Sequence, residues 1–141
     1  MTKQRKEPST VERRNRGRAL HMLCAEDNER LAELLKYALE QAGHKVECVA
    51  DGQAALDRIT ANLKAFDLLV TDHRMARLSG LHLVEKLRDT AFAGKIIVHS
   101  AYLPPAVVGA YRRMSVDHIL IKPAQLDELF AAIEKIGETI R

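Results

Sequence analysis

Four apolar runs in this sequence each lead into a residue with chemistry of its own. "LHMLCA" (20–25) runs into Glu26-Asp27, "LLVT" (68–71) into Asp72, "KIIVH" (95–99) into Ser100-Ala101, and the run from His118 reaches Lys122-Pro123. Three carboxylates gathered at one place and partly shielded from water repel one another, which either raises a pKa or draws in a cation. An oxygen-rich pocket favours a hard ion, Mg²⁺ foremost, held by one or two carboxylates, a carbonyl and waters. Lys122 adds a compact positive charge and Ser100 a hydroxyl, donors suited to phosphoryl oxygens. Together the set suits transfer of a phosphoryl group to a carboxylate nucleophile. Asp72 would attack, the metal and the ammonium would offset the equatorial charge, and Ser100 would fix one oxygen. Taken singly, an Asp after a strand is often a helix cap and Lys-Pro a turn; only the set is distinctive, and the fold must bring it together.

Short β-type runs alternate with segments of helical period from Ala19 onward, which supplies such a fold. The strand candidates are 20–25, 45–49, 68–71, 95–99 and 118–122, and four of them are mostly apolar, as strands covered on both faces are. Between them Leu31, Leu34, Leu35, Ala38, Leu39 and Ala42 follow helical spacing, with Gly43 where a left-handed cap is wanted. Asp51-Gly52 opens a second helix carrying Leu56, Ile59 and Leu63, and Leu81, Val84 and Leu87 stripe a third. Pro104-Pro105 starts a fourth with Val107, Val108, Tyr111 and Met114, and Leu126, Leu129, Phe130, Ile133 and Ile136 mark a fifth. The pattern predicts an α/β fold, a doubly wound five-stranded parallel sheet with helices on both faces. In such an open sheet the loops leaving the carboxyl ends of the strands share one edge, where ligands collect. Neighbours along a strand point to opposite faces, so His73 and His99 are expected to aim away from Asp72 and Ser100.

A chain of 141 residues, 47% hydrophobic and 29% charged, is of single-domain size and can bury one core. No apolar stretch approaches the roughly 20 residues that cross a bilayer, and the basic N-terminus lacks the apolar run of a secretory signal, so a cytoplasmic protein is expected. Cys24 and Cys48 sit in apolar segments at no metal-ligand spacing and read as buried free thiols. The net charge of +3 divides unevenly: residues 1–18 hold seven Lys/Arg against two Glu, a net +5, leaving 15 basic against 17 acidic residues, a net −2, for 19–141. Residues 1–18 therefore read as a solvated, flexible basic arm, and 19–141 as the folded domain. Ser9 and Glu12 are spaced as a capping box within that arm. Basic arms do bind polyanions, but this one lacks aromatics for base stacking, so nucleic acid is not the expected partner.

Over residues 20–138 the chain resembles the receiver domain of bacterial two-component response regulators. The features that carry the resemblance are "ED" (26–27) after the first strand, "DLLVTD" ending at Asp72, Met75 three residues on, Gly80 eight residues on, "HSA" (99–101) and "KP" (122–123). The resemblance implies a (βα)5 flavodoxin-like fold and phosphorylation of Asp72 by a histidine kinase or histidine phosphotransfer protein. It also implies Mg²⁺ bound by Asp27, Asp72 and the backbone carbonyl of Arg74, with Glu26 acting through water, and Ser100 and Lys122 following the phosphoryl group. A cis Lys122-Pro123 bond belongs to the same picture. Two positions depart from the family pattern. Ala76 stands where proline usually follows the methionine, so the loop after Asp72 is either looser or continues into helix. Ile119 stands three residues before the lysine, where receivers usually carry the Tyr or Phe whose rotation reports phosphorylation. Arg74 and Tyr102 occupy positions that the family uses to tune phosphoryl lifetime.

The chain ends a few residues after the fifth helix, so the expected protein is a single-domain response regulator, a monomer or weak dimer. It would signal through altered protein contacts, around the fourth and fifth helices and fifth strand, or relay the phosphoryl group. It is not expected to be an enzyme with a separate substrate. The alternative is a phosphorylation-independent pseudo-receiver that binds a partner. A flavin-binding relative is disfavoured because Glu26-Asp27 would repel a phosphate. A phosphohydrolase is disfavoured because Arg74 stands where a second acid or base commonly sits.

Overall fold

The structure, a computed structural model, describes residues 19–122 and 126–140. The expected arm at 1–18, its capping box and the Lys122-Pro123 bond lie outside the described residues. Among the described residues ten elements alternate: β1 (His21–Ala25), α1 (Glu29–Gln41), β2 (Lys45–Val49), α2 (Gly52–Ala61), β3 (Leu68–Thr71), α3 (Gly80–Arg88), β4 (Lys95–Ser100), α4 (Pro105–Arg113), β5 (His118–Ile121) and α5 (Leu126–Thr139). All strand pairs are parallel, in the order β2-β1-β3-β4-β5. This is the expected doubly wound, flavodoxin-like sheet, with its topological switch point between β1 and β3.

The period of two along each strand divides the core. Met22 and Cys24 of β1 and Leu68 and Val70 of β3 face α1 and α5, meeting Leu35, Leu39, Leu129 and Ile133. Leu23, Leu69, Ile96 and Val98 face the other way, onto Ala55 and Ile59 of α2, Leu83 and Leu87 of α3 and Tyr111 of α4. β3 is buried at every position. Each large aliphatic side chain fully buried here contributes roughly 1.5–3 kcal/mol, so the central strand is the rigid member that carries Asp72.

Helix starts follow their caps. The side chains of Asn28, Asp51 and Ser79 accept from the N–H of Leu31, Ala54 and His82, opening α1, α2 and α3. α4 instead starts on Pro104-Pro105, and Gly43 takes a positive φ of 97° just after α1. Three expectations need correction. Leu34 is 51% exposed. At 100° per residue it lies about 60° round the helix from Leu31, on the side away from Leu35 and Leu39. Leu63 lies beyond the end of α2, although it still packs on the core. β4 runs on through Ser100, while β5 stops at Ile121, so Lys122 stands just past its strand.

Candidate functional site

The parallel ladders bring the four segments to one edge. Ala25 pairs with both Val49 and Thr71, and the ladder continues one step further: Glu26 N–H donates to the Val49 carbonyl at 3.0 Å and Asp72 N–H to that of Ala25 at 2.9 Å. On the other side Ser100 pairs with Ile121, and Lys122 N–H donates to the Ser100 carbonyl at 2.7 Å. The backbones bearing Glu26, Asp72, Ser100 and Lys122 are thus all fixed by sheet hydrogen bonds.

The side chains converge. Lys122 Nζ donates to Glu26 Oε1 at 2.6 Å and to Asp72 Oδ2 at 3.2 Å. The other oxygen of each acid takes a backbone donor: Asn28 N–H reaches Glu26 Oε2 at 3.1 Å, and His73 N–H reaches Asp72 Oδ1 at 2.7 Å. One carboxylate oxygen from each of Glu26, Asp27 and Asp72 lies within 4.8 Å of the others. Glu26 and Asp72 are buried and Asp27 is exposed. Burial pushes the Glu26 carboxyl above its ordinary range, against the hydrogen bond from Lys122, and the Asp72 charge pushes it further. Burial would depress the Lys122 ammonium, but the hydrogen bond to Glu26 and the charges of both acids outweigh it and hold its pKa up. The lysine therefore stays charged at neutral pH.

Beside this cluster lies a cavity of about 320 Å³ lined by Asp27, Asp72, Arg74, Ser100, Ala101 and Tyr102. A buried carboxylate, a buried hydroxyl and an ammonium within reach of one cavity can receive an anionic group and offset its charge. The donor set for a metal is all oxygen. Asp27 is without a paired cation among the described residues. That chemistry fits a hard divalent ion. Arg74 lines the cavity with an exposed side chain.

The loop after Asp72 does not continue into helix. Gly80 N–H donates to the His73 carbonyl at 2.8 Å, and Leu78 N–H to that of Ala76 at 2.7 Å. Arg77 takes a φ of 66° and sends a two-pronged hydrogen bond to Asp51, at 3.0 and 2.9 Å, tying the loop to the start of α2. This ion pair joins the loop to the residue that caps α2. Reading the sequence missed it because Asp51 already serves as a helix cap. His73 turns its ring to Tyr111 of α4, and His99 is buried with both ring nitrogens unpaired among the described residues. Ile119 packs, half-buried, in the cluster that holds α4. Both thiols are free; Cys24 is buried and Cys48 only partly so.

Residues 22–134 match the family model described as "Response regulator receiver domain". The transcriptional regulatory protein TctD of Salmonella typhimurium is 34% identical over 119 residues, 83% of this chain and 51% of the relative. The sensory/regulatory protein RpfC of Xanthomonas campestris is 29% identical over 132 residues, 91% of this chain and 18% of the relative. The chain thus spans about half or less of the length of these curated relatives. Among solved structures, a response regulator receiver protein from Pseudomonas putida superposes with a TM-score of 0.78 at 26% identity, covering 84% of this chain and 98% of its own.

Proposed function

The chain belongs to the response regulator receiver domain family, and on that footing we propose that it accepts a phosphoryl group on Asp72 from the phosphohistidine of a histidine kinase or phosphotransfer protein. A carboxylate oxygen of Asp72 attacks phosphorus. The new O–P bond forms as the N–P bond breaks, and its electron pair leaves with the imidazole nitrogen. Lys122 offsets the charge on the phosphoryl oxygens and the Ser100 hydroxyl donates to one of them. Asp27 and Asp72, with the Arg74 carbonyl and Glu26 through water, would hold Mg²⁺, which neutralises charge on the group in transfer. The observation that carries this reading is the Lys122 ammonium shared by Glu26 and Asp72 beside a cavity that also takes in Ser100.

The phosphoryl group is lost to water or passed on; no separate substrate turns over. Output is a changed protein contact around α4, β5 and α5 in the cytoplasm, or relay to a further histidine. No helix of the described residues is long and apolar enough to cross a membrane.

Incubation with acetyl phosphate, with Mg²⁺ or with a chelator, followed by intact mass, tests the proposal. The wild-type chain should gain one phosphoryl mass only with Mg²⁺, and Asp72→Asn none. A wild type that keeps its unmodified mass would return the phosphorylation-independent, partner-binding reading, and equal uptake by Asp72→Asn would move the acceptor elsewhere.

A further inference from the structure

We propose that Tyr111 is a positioning residue for the phosphoacceptor, linking Asp72 to α4 through His73; the inference rests on the receiver reading above. Tyr111 is fully buried, a phenol drawn from α4 into the core under the loop that follows β3. Its hydroxyl lies 2.7 Å from His73 Nδ1, with the rings edge to face at 5.6 Å. His73 in turn donates its backbone N–H to Asp72 Oδ1 at 2.7 Å. The chain of contacts is therefore Asp72 carboxylate, His73 peptide, His73 ring, Tyr111 hydroxyl and α4.

The packing leaves this link little slack. Gly80 holds its N–H on the His73 carbonyl at 2.8 Å, and a Cβ at Gly80 would run into both the Asp72 carbonyl oxygen and the Tyr111 hydroxyl. Loop backbone, phosphoacceptor and phenol thus meet at one point where only glycine fits. A buried hydroxyl needs a partner, and this one finds it in the residue next to Asp72. Burial, with the Asp72 charge adding to it, raises the Tyr111 pKa well above its ordinary value, so the hydroxyl keeps its proton. Position 119, by contrast, holds an isoleucine that can neither rotate a ring nor make a hydrogen bond. An aromatic ring reaches the residue next to Asp72 from α4 instead. Any movement of the His73 peptide when Asp72 is modified reaches α4 through one short hydrogen bond.

Tyr111→Phe keeps the ring and removes the hydroxyl. With acetyl phosphate and Mg²⁺, the variant should take up the phosphoryl group about fivefold more slowly than wild type, as befits one ordinary hydrogen bond. Hydrogen exchange of the unphosphorylated chain should show the His73 amide less protected, and the change in α4 exchange on phosphorylation should be lost. His73→Leu should behave alike, the double variant no worse than either single one, and His73→Asn, which keeps a hydrogen-bonding group near the Nδ1 position, should restore wild-type values. The His73 series keeps the test open if Tyr111→Phe does not fold. Wild-type uptake together with unchanged rates and exchange in Tyr111→Phe or His73→Leu overturns the link alone. A wild-type chain that takes up no phosphoryl group overturns the phosphoacceptor reading and the inference with it.

Discussion

At the amino-terminal end of the sheet, polar side chains each take up one backbone donor. Asp67 Oδ2 accepts from His21 N–H at 2.9 Å, Asp117 Oδ2 from Ile96 at 2.8 Å, and His44 Nδ1 from Leu20 at 3.0 Å. At the carboxyl-terminal end, three acids crowd within 4.8 Å and two of them share one ammonium. Both ends use Asp, but the first set completes strand starts, at roughly 0.5–1.5 kcal/mol per hydrogen bond, while the second sets like charges against one another. Crowding of that kind costs stability, and a carboxyl perturbed in a cleft, here that of Glu26, points to a functional site. Spacing, rather than residue type, separates stitching from chemistry.

Removing the ammonium is the strongest way to break this contrast. Lys122→Gln leaves the buried Glu26 carboxylate facing Asp72 without its cation, and should cost about 2 kcal/mol near neutral pH, read by urea unfolding. The pH dependence sharpens the test. Burial, against Lys122, already holds the Glu26 carboxyl above its ordinary range. A carboxyl whose folded pKa exceeds its unfolded value binds more protons when folded, so stability rises as pH falls through the folded value. The deficit of the variant should therefore shrink between about pH 7.5 and about pH 5. An equal deficit at both would mean that Glu26 takes up no proton over this range once the ammonium is gone.

What the sequence revealed follows the same division. The sheet, its two faces and the four converging segments were legible because each rests on a local pattern: a period of two, a helical stripe, or an apolar run that ends in a charge. Leu34 misled because helical spacing fixes an arc and not its limit. The Arg77–Asp51 and His73–Tyr111 contacts were not legible, since they join residues 26 and 38 apart whose types carry no motif. Asp51 had a sufficient explanation as a cap and Tyr111 as core, and only tertiary packing gives each a second role.

Weaker perturbations belong at the other end. Asp117→Ala frees the Ile96 N–H and ends the 4.0 Å ion pair with Lys95. The expected loss is about 1 kcal/mol in urea unfolding, with phosphoryl uptake from acetyl phosphate unchanged. A matching fall in uptake would show that the two ends are coupled and erase the distinction drawn between them.

The smallest effect should come from His44, and it appears as a slope. Its Nδ1 accepts from Leu20 N–H, which a protonated imidazole cannot do at that nitrogen, and burial holds its pKa below the ordinary 6.5. The unfolded chain therefore takes up this proton first. The contribution of His44 is complete above the unfolded pKa and is lost as pH falls from there towards the folded one. Between about pH 7.5 and about pH 5.5 the urea midpoint of the wild type should fall more steeply than that of His44→Gln. The difference between the two slopes isolates His44 from other buried imidazoles such as His99, which both proteins share. Parallel slopes would mean that His44 releases Leu20 at no cost, and that stitching at this end does not depend on which atom accepts.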